Sequence, residues 1–197
     1  MNWINVGYDS ANYYALASHK GYVLIDMGMP GTMKKLMHSF HRNGADMTGI
    51  RHLLVTHFHP DHCGIVQDLQ QTGTQLVISD VQKAFIEPAN RSLKRLSGFR
   101  EIIVNPHNII QENDRNAFYE RFGLQGYTIH TPGHSADSIS IVIEGLGIFI
   151  GDLPLPGSHD FETENRIVES WEKIRKTGEQ IVFPAHRDRF PIAQTLG

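Results

Sequence analysis

The sequence has little of what several large classes of protein depend on. It carries one cysteine in 197 residues, which excludes a small scaffold held together by internal disulfides. Its 18 lysines and arginines are outnumbered by 21 acidic residues, and the net charge is −3. Because dedicated nucleic-acid-binding proteins usually carry a basic excess, we expect no nucleic-acid partner.

Long apolar runs are also missing. The two most apolar stretches, 21–30 and 139–150, are well short of the roughly 20 apolar residues that a spanning helix needs. Residues 1–10 lack both the cationic start and the apolar core of a secretory signal peptide. These absences predict a cytoplasmic protein without membrane association.

There is no internal repeat, low-complexity run or long linker, so we expect one domain over 1–197. Strand and helix patterns alternate, which favours a layered α/β fold. We predict strands at 13–18, 22–27, 52–56, 75–79, 127–131, 138–143, 147–150 and 180–183. We predict helices at 31–42, 65–71, 115–121 and 163–176, with helical pieces over 81–100 interrupted by Pro88.

The chemistry concentrates in segment 56–64, Thr-His-Phe-His-Pro-Asp-His-Cys-Gly, where a predicted strand ends and a helix begins. Residues two apart in an extended chain point the same way, so His57 and His59 can present their imidazoles to one point. The intervening proline ends the strand, and the first turn of the helix returns Asp61 and His62 towards the same cavity. Imidazoles and a carboxylate favour zinc, with manganese or non-haem iron less favoured.

Three more residues of ligand type lie in short turns at the ends of predicted strands. They are His134 in Thr-Pro-Gly-His-Ser, Asp152 in Gly-Asp, and His186 in Pro-Ala-His. Catalytic groups often occupy such turns, because loops on a rigid scaffold carry function.

In this order, the motifs resemble those of the metallo-β-lactamase-fold hydrolase superfamily over nearly the whole chain. The Val-Leu-Ile-Asp-Met-Gly run at 23–28 is similar to the family's second-strand motif, and His-x-His-x-Asp-His to its signature. The Thr-Pro-Gly-His-Ser turn is similar to its third-histidine loop. The resemblance implies a four-layer αβ/βα sandwich of two mixed sheets with helices outside, and a metal cleft at one edge.

The resemblance also implies a ligand set. One metal would be held by His57, His59 and His134, a second by Asp61, His62 and His186, and Asp152 would bridge them. With two zinc ions, a shared water would become a hydroxide nucleophile that attacks a small-molecule ester, thioester, lactone or phosphoester. Asp61 and Asp152 would be the catalytic carboxylates, and Asp26 would orient a ligand histidine.

Some positions depart from particular branches of the family. Leu155 stands where the lactonases have a tyrosine, and the chain ends shortly after His186, without the helical extension of glutathione-thioester hydrolases. Neither branch is therefore favoured. Two alternatives stay open: a mononuclear iron enzyme similar to persulfide dioxygenases, and a non-catalytic metal-dependent binding or regulatory domain. Substrate identity and oligomeric state are not predicted.

Other candidates have a plain structural interpretation. Cys63 is expected to pack like a small apolar residue rather than bind metal. A solvated face is the first interpretation of Arg91, Lys94 and Arg95, and a cationic wall for an anionic substrate is the alternative. Region 81–110 is the expected cap over the site, and His159 is placed to reach over the cleft.

Overall fold

Two five-stranded sheets form the centre of the molecule. The computed structural model describes residues 2–157 and 160–195. The first sheet has the order β1-β2-β3-β4-β5, antiparallel at first and parallel from β3 onwards. Its strands are β1 (Trp3–Asn5), β2 (Tyr14–Ser18), β3 (Gly21–Ile25), β4 (Ile50–Leu54) and β5 (Gln75–Leu76).

The second sheet comes mainly from the other half of the chain, in the order β12-β11-β10-β9-β8. Only the β10–β11 pair is parallel. Its strands are β8 (Gly126–His130), β9 (Ile139–Ile143), β10 (Gly147–Gly151), β11 (Ile181–Pro184) and β12 (Phe190–Pro191). Strands β6 (Ile78–Ser79) and β7 (Ile109–Ile110) form a separate parallel pair.

Six α-helices accompany the sheets over the described residues. They are α1 (Met33–Arg42), α2 (Pro60–Cys63), α3 (Val66–Gln70), α4 (Ile86–Leu93), α5 (Arg115–Phe122) and α6 (Phe161–Lys176). Two of them, α5 and α6, begin at an aspartate whose side chain caps the helix. In α5, for example, Asp114 accepts from the Ala117 amide, and Gly123 closes the helix in the left-handed conformation. None of the described helices is long and apolar enough to cross a membrane.

The core lies in three apolar clusters that define four layers. Between the sheets, Leu16 and Leu54 of the first sheet join Ile141 and Phe149 of the second. Alternate residues of the same strands point outward, because successive side chains of a strand face opposite sides. This is the four-layer αβ/βα sandwich that the sequence resemblance implied.

The two outer clusters attach the helices. Leu36, Val66 and Leu93, from α1, α3 and α4, pack with residues of the first sheet. Ile167 and Trp171 of α6 pack on the second sheet. Each sheet is thus buried on both faces, which explains why central strands such as β9 and β10 are apolar throughout.

The structure corrects two details of the sequence prediction. Pro88 does not interrupt a helix: it lies in the first turn of α4, where its missing N–H would have had no partner within the helix. The strand predicted at 75–79 is divided at Val77. Its first half joins the first sheet as β5, and its second half pairs with β7 as β6.

Candidate metal centre

All seven predicted ligands come from segments that follow strands at one edge of the sandwich. Segment 57–62 follows β4, and His134 lies in the β8–β9 connection. Asp152 follows β10, and His186 follows β11. Because β10 and β11 are parallel, their carboxyl ends meet at the same edge, as sites in α/β sheets often do.

The first group of ligand atoms consists of three imidazoles, from His57, His59 and His134. One nitrogen from each lies within 4.8 Å of the others. The closest pair is His134 Nε2 and His59 Nδ1, 2.9 Å apart. Phe58, between the two signature histidines, turns away and packs in the first outer cluster. The alternation expected of an extended chain is therefore present.

The second group combines two carboxylates and two imidazoles, from Asp61, His62, Asp152 and His186. His186 Nε2 lies 3.3 Å from Asp61 Oδ2 and 3.3 Å from Asp152 Oδ1. His62 Nε2 lies 3.5 Å from Asp61 Oδ2 and 3.4 Å from Asp152 Oδ2. These atoms surround a space that one cation would share.

Asp152 lies between the two groups. Besides its contacts in the second group, its Oδ2 is 3.5 Å from His134 Nε2 and 4.0 Å from His57 Nε2. Its backbone position depends on Gly151, whose φ is +57° and where a Cβ would overlap the Thr56 hydroxyl. The glycine lets β10 approach β4 closely enough to place the carboxylate between both histidine sets.

Buried polar atoms show that the residues fit a metal. His57 Nε2, His62 Nε2 and Asp152 Oδ1 are buried and have no hydrogen-bond partner among the described residues. Buried polar groups are normally satisfied, and an orphaned one costs about 1–3 kcal/mol. All three atoms face the ligand groups, so bound cations would satisfy them.

A hydrogen-bond network behind the site fixes which nitrogens face inward. Asp26 accepts from the Thr56 amide and hydroxyl, each at 2.8 Å, and lies 2.9 Å from His62 Nδ1. The hydroxyl in turn lies 3.1 Å from His57 Nδ1. Both histidines therefore carry their proton on Nδ1 and direct Nε2 into the site. The predicted contact of Asp26 with a ligand histidine is present.

Two further observations support this arrangement. His186 Nδ1 lies 2.8 Å from the Ser10 carbonyl, so its Nε2 also faces the site. Asp26 itself adopts a left-handed backbone conformation, with φ of +56°. Such outliers cluster at functional sites, where surrounding contacts hold them in place.

The pKa values of the two buried histidines, His57 and His62, are shifted in opposite directions. Burial, reinforced by the neighbouring imidazoles, lowers the pKa of His57 well below its ordinary value. Burial also acts to lower the pKa of His62, but the carboxylates of Asp26, Asp152 and Asp61 outweigh it and raise that pKa well above the ordinary value. The contact with His62 in turn holds the pKa of Asp61 far below its usual range.

The remaining candidates lie elsewhere. Cys63 is fully buried, its Sγ donates to the His59 carbonyl at 3.2 Å, and burial raises its pKa, as expected of a packing residue. Arg91 pairs with Glu87 at 3.0 Å and lines a cavity that contains none of the seven ligands. Phe85 and Phe99 of region 81–110 pack against the first outer cluster, and the cap over the site stays a prediction. His159 lies outside the described residues.

Sequence reasoning missed two polar residues that touch the ligand segments. Asp137 accepts from the Phe58 amide at 2.6 Å, and Gln82 donates to the Val55 carbonyl at 3.0 Å. Both side chains are buried. The one available signal was that Asp137 lies in the same turn as His134.

Comparison with known proteins decides the family. A family model described as the metallo-beta-lactamase superfamily matches residues 6–186. The chain belongs to this superfamily. The match covers nearly the whole chain, from the first sheet to His186.

Several curated relatives carry hydrolase or lactamase-like names. A beta-lactamase-like protein 2 homolog of Drosophila melanogaster is 27% identical over 176 residues, covering 89% of this chain and 58% of that protein. A hydroxyacylglutathione hydrolase of Idiomarina loihiensis is 32% identical over 141 residues, covering 70% of this chain and 47% of that protein. The chain thus spans about half the length of these curated relatives.

Solved structures of the superfamily show the same fold. The metallo-beta-lactamase GOB-18 from Elizabethkingia meningoseptica superposes with a TM-score of 0.74 at 18% identity, over 94% of this chain and 74% of that one. BLEG-1, a B3 metallo-beta-lactamase, superposes with a TM-score of 0.70 at 24% identity, over 99% and 95%. At these identities the likeness supports the fold alone.

Proposed function

We propose that the protein is a metal-dependent hydrolase that holds two zinc ions, one in each ligand group, and cleaves a small-molecule ester, thioester, lactone or phosphoester. The observation that carries this proposal is Asp152, whose carboxylate contacts both groups. Its buried Oδ1, like the inward nitrogens of His57 and His62, has no hydrogen-bond partner among the described residues. A carboxylate placed between two ligand groups suits a pair of adjacent cations.

Zinc suits the donor set better than other common metals do. Imidazole nitrogens and carboxylate oxygens, without a thiolate, are typical of catalytic zinc sites. The first group offers three imidazoles and leaves a fourth position for water or substrate. Iron and manganese accept similar donors and are outcomes of the test below.

Bound zinc would lower the pKa of a coordinated water and polarise the oxygen of the bond under attack. The protein's own groups set the conditions for this chemistry. Asp61 is one-third exposed at the cleft, and its low pKa keeps it a carboxylate at neutral pH. It can therefore accept a hydrogen bond from a water and orient it, although so low a pKa makes it a weak base for taking the proton itself.

The substrate is proposed to enter beside His186. A cavity of about 640 Å³ opens there between loop 7–12 and residues 186–188, with Arg42 at its edge. Its walls are mainly polar, which suits a small, hydrogen-bonding substrate. The cavity lined by Arg91 lacks a metal ligand, so we assign it no role in catalysis.

The test is hydrolysis of a panel of 4-nitrophenyl esters, thioesters, lactones and phosphodiesters by protein stripped with chelator and reloaded with zinc, manganese or iron. We expect hydrolysis of at least one class with zinc, its loss on stripping and its return on reloading. His134→Ala should abolish the activity, while the matched control Arg91→Ala should retain it.

Two outcomes would contradict the proposal. A folded, zinc-loaded protein that hydrolyses no class would favour a metal-dependent binding or regulatory domain. Oxygen-dependent oxidation of a persulfide by the iron-loaded protein, without hydrolysis by any form, would instead favour a persulfide-dioxygenase-like enzyme. The set His57, His59, His134 and Asp152 offers that enzyme three histidines and one aspartate.

A further inference from the structure

Two loops supply the first ligand group, and a buried carboxylate joins them. One loop carries His57 and His59, and the other carries His134. Asp137, at the base of the second loop, reaches across and accepts from the amide of Phe58 at 2.6 Å. Phe58 is the residue between the two signature histidines, so this hydrogen bond fixes the peptide from which both extend.

The Phe58 peptide is held from two sides. Phe58 is 5% exposed and packs in the first outer cluster, and its amide donates to Asp137, which is 7% exposed. With both ends of the residue fixed, the backbone cannot rotate without breaking the hydrogen bond or exposing the ring. The directions of His57 and His59 are thereby restricted.

The base of the His134 loop is fixed independently. The Thr131 amide donates to the Ser138 carbonyl at 3.0 Å, and His130 Nε2 lies 2.9 Å from the Ala136 carbonyl. These contacts lie within the loop or at its own strand ends. They shape the loop. The Ile139 amide, just after it, donates to the Thr56 carbonyl at 2.8 Å and joins the end of the loop to the start of the histidine segment, whereas Asp137 joins it at Phe58, between the two histidines.

Gln82 reinforces the junction from below. It is fully buried, and its amide donates to the Val55 carbonyl at 3.0 Å and approaches the Thr56 and Asp137 carbonyls, each at 3.4 Å. Its own oxygen accepts from the Ser79 amide at 3.2 Å. A single side chain from 80–85 thus contacts the backbone on both sides of the junction.

We propose that Asp137 is a positioning residue: by holding the Phe58 amide, it sets the spacing of His57 and His59 relative to His134 and so determines the metal affinity of the three-histidine group. This inference rests on the proposed metal centre. Two distances support it. The Asp137 carboxylate, which is not itself a candidate ligand, accepts from the Phe58 amide and so links the two loops. Across these loops, His59 Nδ1 and His134 Nε2 lie 2.9 Å apart.

The chemistry of the link explains why a carboxylate is suited to it. A hydrogen bond from an amide to an ionised oxygen is about twice as strong as a neutral one. Removing the acceptor would leave a buried N–H unsatisfied, which favours local opening of the peptide. Metal sites lose affinity when supporting contacts of this kind are removed, typically about 10–100-fold.

The experiment compares three variants of the full chain: Asp137→Ala, Asp137→Asn and Asp114→Ala. Asp114→Ala is the matched control, because it removes another carboxylate that accepts a backbone amide, at 2.9 Å from Ala117, on a helix distant from the ligands in the chain. Zinc affinity is measured by competition with a chromogenic chelator. NMR of the histidine ring nitrogens reports which group is filled, and amide exchange of Phe58 reports the link itself.

We expect Asp137→Ala to weaken zinc binding at His57, His59 and His134 by roughly 10–100-fold, with His62 and His186 little changed. Exchange of the Phe58 amide should accelerate in this variant. Asp137→Asn retains an acceptor oxygen and should restore most of the affinity. Asp114→Ala should lower the melting temperature without changing either readout at the site.

Several results would overturn the inference. One is unchanged zinc affinity and Phe58 exchange in Asp137→Ala; another is equal losses in Asp137→Ala and Asp114→Ala, which would indicate a general stability effect. If Asp137→Ala does not fold, Asp137→Ser, whose side chain is too short for the link, replaces it. A parent protein that binds no zinc would overturn the proposed function, while Phe58 exchange would still decide whether the link exists.

Discussion

The two ligand groups, only a few ångströms apart, differ in charge and in how they are held. The first consists of three imidazoles, and the second of two imidazoles and two carboxylates. Each contains one deeply buried histidine, His57 or His62. His57 Nδ1 faces the neutral hydroxyl of Thr56, whereas His62 Nδ1 faces the carboxylate of Asp26.

This difference shows how a fold gives two buried imidazoles opposite properties. Where a hydroxyl faces the outer nitrogen, burial dominates and lowers the pKa, so His57 is a neutral ligand without any metal. Where a carboxylate faces it, as Asp26 faces His62, the carboxylates outweigh burial and the pKa rises well above the ordinary value. The second group therefore combines two carboxylates with a histidine whose cationic form those carboxylates favour.

The largest effect should come from the residue that the two groups share. Replacing Asp152 with alanine removes a carboxylate from the second group and a neighbour of the first, so both cations should bind more weakly. Activity on any substrate identified should fall by more than the roughly 10–100-fold that changes in supporting residues cause. If Asp152→Ala kept full activity at saturating zinc, Asp152 would not be a ligand that the two groups share.

Asp26→Asn should weaken zinc binding in the second ligand group more than in the first. The amide keeps the size of the side chain and can still accept from Thr56, but it loses the charge that faces His62. We expect zinc affinity to fall about 10–100-fold in the second group and less in the first. Calorimetric titration of metal-free protein with zinc measures the affinity of each of the two sites. Equal losses of affinity at both sites would show that Asp26 supports the two groups equally.

The smallest effect should come from Cys63, next to His62 in the sequence. Its thiol is buried, contacts the His59 carbonyl and belongs to neither ligand group. Cys63→Ala should leave the zinc content unchanged and lower the free energy of unfolding by about 1 kcal/mol, as a small loss of packing does. Loss of one zinc in this variant would indicate that the thiol binds metal and that the two ligand groups omit one ligand.

Much of the architecture could be predicted because its signals are local. Runs of apolar residues marked the central strands β9 and β10, and the helix predicted over 31–42 corresponds to α1. The edge strand β1 was missed, since three residues give too short a pattern. The division at Val77 was missed because it depends on which sheet each half meets, which no local pattern records.

The same distinction applies to the site. The seven candidate ligands were predicted from their residue types and spacing. The structure brings their side chains together in two groups, and their binding of metal stays a prediction. The contacts that support these residues were harder to predict from the sequence. Asp26 lay in a motif, but Asp137 meets Phe58 across 79 positions of the chain and Gln82 meets Val55 across 27, so only the folded structure reveals them.

The central claim, two cations held by two groups, is tested most directly by the metal content per chain of the parent and His186→Ala, purified side by side without chelator. His186 belongs to the second group alone and is its more exposed histidine. We predict about two zinc per parent chain, falling towards one in the variant. About one iron per chain, unchanged in His186→Ala, would contradict the account.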